Sequence, residues 1–196
     1  NWATWHRNAF TITWNVEGAT TTSEVLPGVV PSFTGTPEKA ADNTYTYTFA
    51  GWSDTQGGSA ITLPEASANA TYFAVFTPVY INYTITWNFK AADGTDTSDT
   101  TKVHWGDTPS HADPAGYVAN NTIYAFDAWD TTPAAYDGTV TSYTATYTST
   151  AAAAMVISVA DAETGATTTN YVATLADAFG ANGAKNGDSV ELLSNV

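Results

Sequence analysis

The segment FTITWN (Phe10–Asn15) returns as YTITWN (Tyr83–Asn88), 73 residues further along the chain. A near-verbatim return at that spacing points to tandem copies of one small unit, and this restricts the fold more than any other feature. Three further landmarks keep the same order. TFAGW ending at Trp52 pairs with AFDAW ending at Trp129, and TYFAVF ending at Phe76 pairs with SYTATY ending at Tyr147. FTGTP (Phe33–Pro37) pairs with WGDTP (Trp105–Pro109). The drift in spacing among these landmarks reads as loop-length variation between two copies. By the same comparison, Ala3 and Trp5 sit where Ala145 and Tyr147 sit in the second copy. Residues 1–7 therefore read as the last strand of a preceding unit, and the chain as a piece of a longer array. The expected division is a first module over 8–79, a second over 80–150, and a different region over 151–196.

Within the repeats, threonine alternates with large apolar residues, as in TYTYTF (Thr44–Phe49). Successive side chains of a strand face opposite sides, so a period of two separates a core face from a wet one. β-Branched threonine favours strands and tolerates solvent. Phe10, Ile12, Trp14, Tyr47, Phe49, Trp52 and Phe76 are the expected core of the first copy. Tyr83, Ile85, Trp87, Tyr124, Phe126, Trp129 and Tyr147 are that of the second. The step from Phe49 to Gly51-Trp52 breaks the parity by one, which predicts a β-bulge that turns Trp52 back over the core. A unit of about seventy residues is near the lower size for independent folding, and a few large rings bury area efficiently in it.

The third region shares none of these landmarks. STAAAA (Ser149–Ala154) reads as a small-residue linker. Met155–Val159 is an expected strand, with a turn near Gly165. Thr174 with Asp177 has capping-box spacing before a short helix carrying Leu175, Ala178 and Phe179, and Asn186-Gly187-Asp188 turns into a strand at Val190–Leu193.

Five Lys+Arg against nineteen Asp+Glu give a net charge of −14. Such a surface repels phosphate backbones and anionic headgroups, which argues against nucleic acid and membrane partners. No apolar run approaches the length of a membrane span. With no cysteine, disulfides, thiolate metal sites and cysteine nucleophiles are excluded. His6, His104 and His111 stand in unrelated settings without a G-x-S-x-G or H-x-x-x-H pattern, so neither nucleophilic catalysis nor a zinc site is indicated. Acidic residues do not recur at matched landmarks, so no paired-acid mechanism is indicated either. Nor do Lys39, Lys90, Lys102 and Lys185 show a Lys–Asn arrangement common to both copies that would suggest isopeptide bonds. DGTDTSD (Asp93–Asp99) offers Asp93, Asp96 and Asp99 as hard oxygen ligands for calcium, although the same residues also suit a solvated hairpin loop. Trp105 and Tyr136 lie off the alternation and are the candidates for exposed, sugar-stacking aromatics.

The ordered set YTITWN, TP, YTYTFAGW and ATYFAVF resembles the internalin-type B repeat, also called the Listeria–Bacteroides repeat. The resemblance covers Phe10–Phe76 well and Tyr83–Tyr147 more loosely, with Asp127-Ala128 standing where the first copy has Ala50-Gly51. It implies a mainly β fold of tandem β-grasp-like modules strung into a stalk on a bacterial cell-surface or secreted protein. Such a stalk is non-catalytic and extracellular, with neighbouring repeats, host or dietary glycans, or surface proteins as partners. A carbohydrate- or mucin-binding accessory role for a larger enzyme or adhesin is the alternative. YVATLADAFGANGAKNGDSVELLSNV (Tyr171–Val196) resembles the lead-in to a further β-rich region, often a β-helix.

Overall fold

The computed structural model describes residues 8–161 and 163–193. The expected strand at Trp2–Trp5 lies outside them. Among the described residues the chain is mainly β, with one short helix, and it divides into two compact units, one ending at Ile81 and the other beginning at Asn82.

In the first unit, β1 (Phe10–Val16) and β2 (Ala19–Val25) form a hairpin whose two-residue turn, Glu17-Gly18, has positive φ at both positions. That conformation matches the twist of the flanking strands, and Asn15 Oδ1 secures it by accepting the Gly18 N–H at 2.8 Å. β3 (Tyr45–Ser53) and β4 (Ala70–Tyr80) complete a sheet of order β2-β1-β4-β3. The central pair, β1 and β4, is parallel, and the outer pairs are antiparallel. β4 runs through Pro78, which lies beyond the four residues that pair with β1, so its missing N–H breaks no bond on that side.

The parity break is a bulge. The β3–β4 register shifts between Phe49 and Gly51, where Gly51 adopts φ +142°. Trp52 turns inward as a result, 7% exposed with its ring 4.6 Å from that of Trp14. A Cβ at Gly51 would sit 2.9 Å from the Ala60 Cβ, so the site also requires the absent side chain.

In the second unit, β5 (Tyr83–Lys90), β6 (Asp96–Val103), β8 (Thr122–Trp129) and β9 (Ser142–Ala151) repeat this arrangement, again with a parallel central pair. A short β7 (Tyr117–Ala119) is added at the edge through an Asn120-Asn121 turn of positive φ. The bulge recurs between Phe126 and Ala128. Two alanines separate β9 from β10 (Ala154–Asp161), which pairs with β11 (Ala166–Val172) and β12 (Ser189–Leu192) in an antiparallel sheet. The helix α1 (Leu175–Phe179) starts as expected. Thr174 Oγ1 accepts the Asp177 N–H at 3.1 Å and donates to Asp177 Oδ2 at 2.6 Å. Ala178 is buried, but Phe179 points out at 68% exposure rather than joining the helix's apolar face.

The expected linker at Ser149–Ala154 is instead strand and packed junction. Ala152 and Ala154 are buried, and the Ala152 N–H donates to the Asn121 carbonyl at 2.8 Å.

The cores of the two modules share a common centre. Ile12, Trp14, Trp52 and Tyr72 form one with Val25 and Ala66, and Ile85, Trp87 and Tyr143 form the other with Val103 and Tyr136, Trp129 packing against them half-buried. The Trp14 indole donates to Ser23 Oγ, and that of Trp87 to Thr101 Oγ1, each at 2.9 Å. Phe10, Phe49 and Tyr83 pack at the margins of these cores. Tyr47, Phe76, Tyr124, Phe126 and Tyr147, also expected inside, are half-buried, with Phe76 against Phe49 at 6.0 Å and Phe126 against Trp129 at 5.5 Å.

Candidate binding surfaces

The proposed sugar-stacking pair is not a surface. Tyr136 is 7% exposed within the second core, its ring 4.8 Å from that of Tyr83, and Trp105 packs edge-on against it at 6.1 Å. The physical reason lies in a different correspondence between the copies. Gly28 and Gly106 both take positive φ, and their N–H groups donate to the carbonyls of Ala66 and Tyr136, each at 2.9 Å. Pro31 and Pro109, three residues on, are both buried. The segment PGVVPSF (Pro27–Phe33) thus occupies the place of WGDTPSH (Trp105–His111), and FTGTP is not the counterpart of WGDTP. Tyr136 stands where the first copy has Ala66, and its large ring is covered by Trp105, where the first copy has Pro27.

His111 consequently stands in for Phe33. The Phe33 ring lies 5.7 Å from Trp14 and 5.1 Å from Trp52, while the His111 ring lies 5.3 Å from Trp87 and 5.5 Å from Trp129. Its Nδ1 is 2.6 Å from the Ala112 carbonyl and its Nε2 is 3.5 Å from Asp99 Oδ2. His104 contacts Asp107 Oδ2 through its ring at 3.2 Å, and the same oxygen accepts the His104 backbone N–H at 3.0 Å, closing a local turn. His6 is outside the described residues.

The three carboxylates proposed for calcium are turned to separate partners. Asp93 Oδ1 accepts from the N–H and hydroxyl of Thr95 at 3.0 and 2.6 Å, which is turn-forming chemistry. Asp96 pairs with Lys90 at 2.7 Å, and Asp99 accepts its neighbour's Thr100 N–H at 2.7 Å. Among the described residues, no three acidic or histidine side chains gather as a metal would require.

Two other surfaces concentrate aromatic and polar groups. In the first unit, Tyr45, Tyr47 and Tyr80 lie together, with ring centroids 6.2 Å apart for Tyr45–Tyr47 and 4.6 Å apart for Tyr45–Tyr80. The Tyr47 hydroxyl donates to Asp42 Oδ2 at 2.6 Å, Lys39 Nζ lies 4.5 Å over the Tyr47 ring, and Lys39 also pairs with Glu17 at 3.1 Å. In the second unit, an open groove of about 370 Å³ is lined by Tyr117, Tyr124 and Phe126 on one side and by Thr169, Asn170 and Tyr171 of β11 on the other. Tyr117 and Tyr124 stack almost flat, 4.5 Å apart and 6° from parallel. The sequence alternation marked Tyr124 and Phe126 but not the groove, because its far wall comes from the unrelated third region.

The Asp42–Tyr47 bond leaves an electrostatic signature. The Tyr47 phenol, then the N–H groups of Tyr45 and Thr44, hold the Asp42 carboxyl below its ordinary value. Reciprocally, the Asp42 bond, with some desolvation, raises the Tyr47 phenol. A depressed carboxylate contributes stability above its unfolded pKa of about 3.9 and loses it as pH falls through the lower folded value. A raised phenol contributes below its unfolded pKa of about 10 and loses it as pH rises through the higher folded value. Asp42→Ala is therefore expected to bring the Tyr47 titration down toward the ordinary phenol range, as followed by NMR of the ring carbons. An unchanged Tyr47 titration would refute the assignment.

Among the described residues, no helix is long and apolar enough to cross a membrane. No family model, curated protein or solved structure matches the chain.

Proposed function

We propose that the chain is a non-catalytic spacer or adhesion segment of a bacterial cell-surface or secreted protein, as its resemblance to internalin-type B repeats implies. One observation carries this reading: the copies repeat the centre of their cores and not the polar groups of their surface. Ile12, Trp14, Trp52 and Tyr72 recur as Ile85, Trp87, Trp129 and Tyr143. The surface chemistry does not follow. Tyr47 recurs as Tyr124, but the place of Asp42, five residues earlier, is taken by Ala119. A duplicated catalytic or recognition site would keep its polar groups, whereas a duplicated spacer keeps only what folds it. The net charge of −14 keeps such a segment soluble and unattracted to anionic surfaces.

The second reading, a carbohydrate- or mucin-binding accessory, is favoured by the groove, whose lining joins tyrosine rings with Thr169 and Asn170. An NMR titration of the chain with mucin oligosaccharides separates the two. The spacer reading expects no saturable shifts at Thr169, Asn170 or Tyr171. Saturable shifts confined to those residues and to Tyr117 and Tyr124 would overturn it in favour of glycan recognition.

A further inference from the structure

In both modules the first and last strands are neighbours, run parallel and form the centre of the sheet. In the first, Ile12, Thr13, Trp14 and Asn15 of β1 stand opposite Ala70, Thr71, Tyr72 and Phe73 of β4. In the second, Thr86, Trp87 and Asn88 of β5 stand opposite Ser142, Tyr143 and Thr144 of β9. The chain enters each module at the start of the first strand and leaves from the end of the last. Because the strands are parallel, those two points lie at opposite ends of the shared ladder.

We propose that each module is a tension-bearing clamp in which this parallel ladder resists pulling along the chain. A force applied at the two ends slides one strand along the other, so that the cross-strand hydrogen bonds are strained together and must yield together. Were the strands antiparallel neighbours entered and left at one end, the same force would open the bonds singly. Forced unfolding is set by the height of the unfolding barrier, which loading in concert raises.

Three features suit the ladder to this task. One face of it is dry: Ile12, Trp14 and Tyr72 in one module, and Ile85, Trp87 and Tyr143 in the other, are 0–5% exposed. Shielded from water on that face, its hydrogen bonds are electrostatically stronger than bonds open to solvent on both. It is also bolted by rings. Trp14 and Tyr72 are direct cross-strand partners with centroids 5.6 Å apart, and their counterparts Trp87 and Tyr143 stack at 4.7 Å and 19°. Sliding the strands by one position would drive these rings into their neighbours. Finally, the entry end of each ladder is tied. The Thr11 N–H donates to Asn69 Oδ1 at 2.9 Å, and the Thr86 N–H extends the other ladder by donating to the Thr141 carbonyl at 3.0 Å.

The sequence is most closely repeated at the clamp itself, since TITWN is identical in Thr11–Asn15 and Thr84–Asn88. Between the modules only Ile81 and Asn82 separate β4 from β5. Tension therefore passes from the last strand of one ladder to the first strand of the next with little slack. The biological use of the clamp rests on the spacer reading; its mechanics do not.

The chain contains no cysteine, so paired cysteines provide unique handles for single-molecule force spectroscopy. Asn8→Cys with Asn82→Cys pulls the first module from opposite ends of its ladder. Asn8→Cys with Ala68→Cys pulls the same folded module from one end of it. We expect a several-fold higher unfolding force in the first geometry. Equal forces, or a higher force in the second, would overturn the clamp and leave the spacer reading standing. Glycan binding in the groove would displace the spacer reading and leave the force comparison untouched.

Discussion

Trp87→Ala is expected to abolish cooperative folding of the second module while leaving the first unit's transition in place. Trp87 is fully buried, against Tyr143 at 4.7 Å, Trp129 at 4.8 Å and His111 at 5.3 Å. Truncating a buried tryptophan to alanine costs about 3–5 kcal/mol, from lost transfer energy and from the cavity left among neighbours that cannot close in. It also strands the Thr101 hydroxyl that accepts the indole N–H at 2.9 Å, a further cost on the order of 1 kcal/mol. A module of about seventy residues has on the order of 3–10 kcal/mol in total. The substitution therefore removes most or all of it. With no disulfide to hold the module, nothing restores what is lost.

The contrast between units is the informative part. The two cores share no residue, and the compact units divide between Ile81 and Asn82. Urea unfolding of Trp87→Ala, followed by NMR peak intensities, should show Ile12 and Trp52 signals surviving to their wild-type midpoint while Ile85 and Trp129 signals vanish. Equal weakening of both sets would mean that the units unfold as one. Trp87→Phe should lie between, since it keeps a ring on Tyr143 but gives up the indole donor and part of the volume.

The features legible in the sequence are those that follow from strand parity. Trp14 and Trp87 fall in phase with Ile12 and Ile85, and all four are buried because a pleated strand has only two faces. The bulge at Gly51 was equally legible, since two aromatics separated by an odd step can share a core only if the register slips. Loop residues gave no such signal. Trp105 and Tyr136 lie off the alternation, and aligning threonine-proline pairs sets Trp105 against Phe33, whereas the fold aligns the glycines that take positive φ, Gly28 and Gly106. Once those are superposed, Tyr136 replaces Ala66 and Trp105 replaces Pro27, two large-for-small exchanges in neighbouring positions. Asp93, Asp96 and Asp99 misled for a related reason: close spacing in sequence places carboxylates near one another only when no nearer donor claims them. Thr95, Lys90 and Thr100 each do so. Neither wall of the groove announced the other, because β11 reaches Tyr117 and Tyr124 only through the path of β9 and β10.

That path supplies the second large effect. A run of alanines reads as a flexible link by composition, and in a flexible link Ala154→Asp would change nothing. In the folded chain Ala154 is fully buried between Val172 of β11 and Leu192 of β12, in the cluster that holds Val156 and Ala178. Only a methyl group fits there, and the backbone around it is fully engaged. The Ala152 N–H donates to Asn121 and the Ala153 N–H to Val172, while the Ala153 carbonyl accepts from Leu193. A carboxylate at position 154 would be taken out of water, and avoiding that penalty by protonation still leaves a polar group in an apolar site. The expected loss is about 3 kcal/mol or more for the β10–β11–β12 sheet. Ala151→Asp, three residues earlier at the exposed end of β9, should fall within about 0.5 kcal/mol of the parent. Amide hydrogen exchange at Val156 and Val172 reads the difference directly. Fast exchange in Ala154→Asp alone identifies the alanine run as a packed junction that fixes the third region to the end of β9. Parent-like exchange in both variants would return it to the status of a linker, and the groove between Tyr124 and Tyr171 would then lose the support that holds its two walls together.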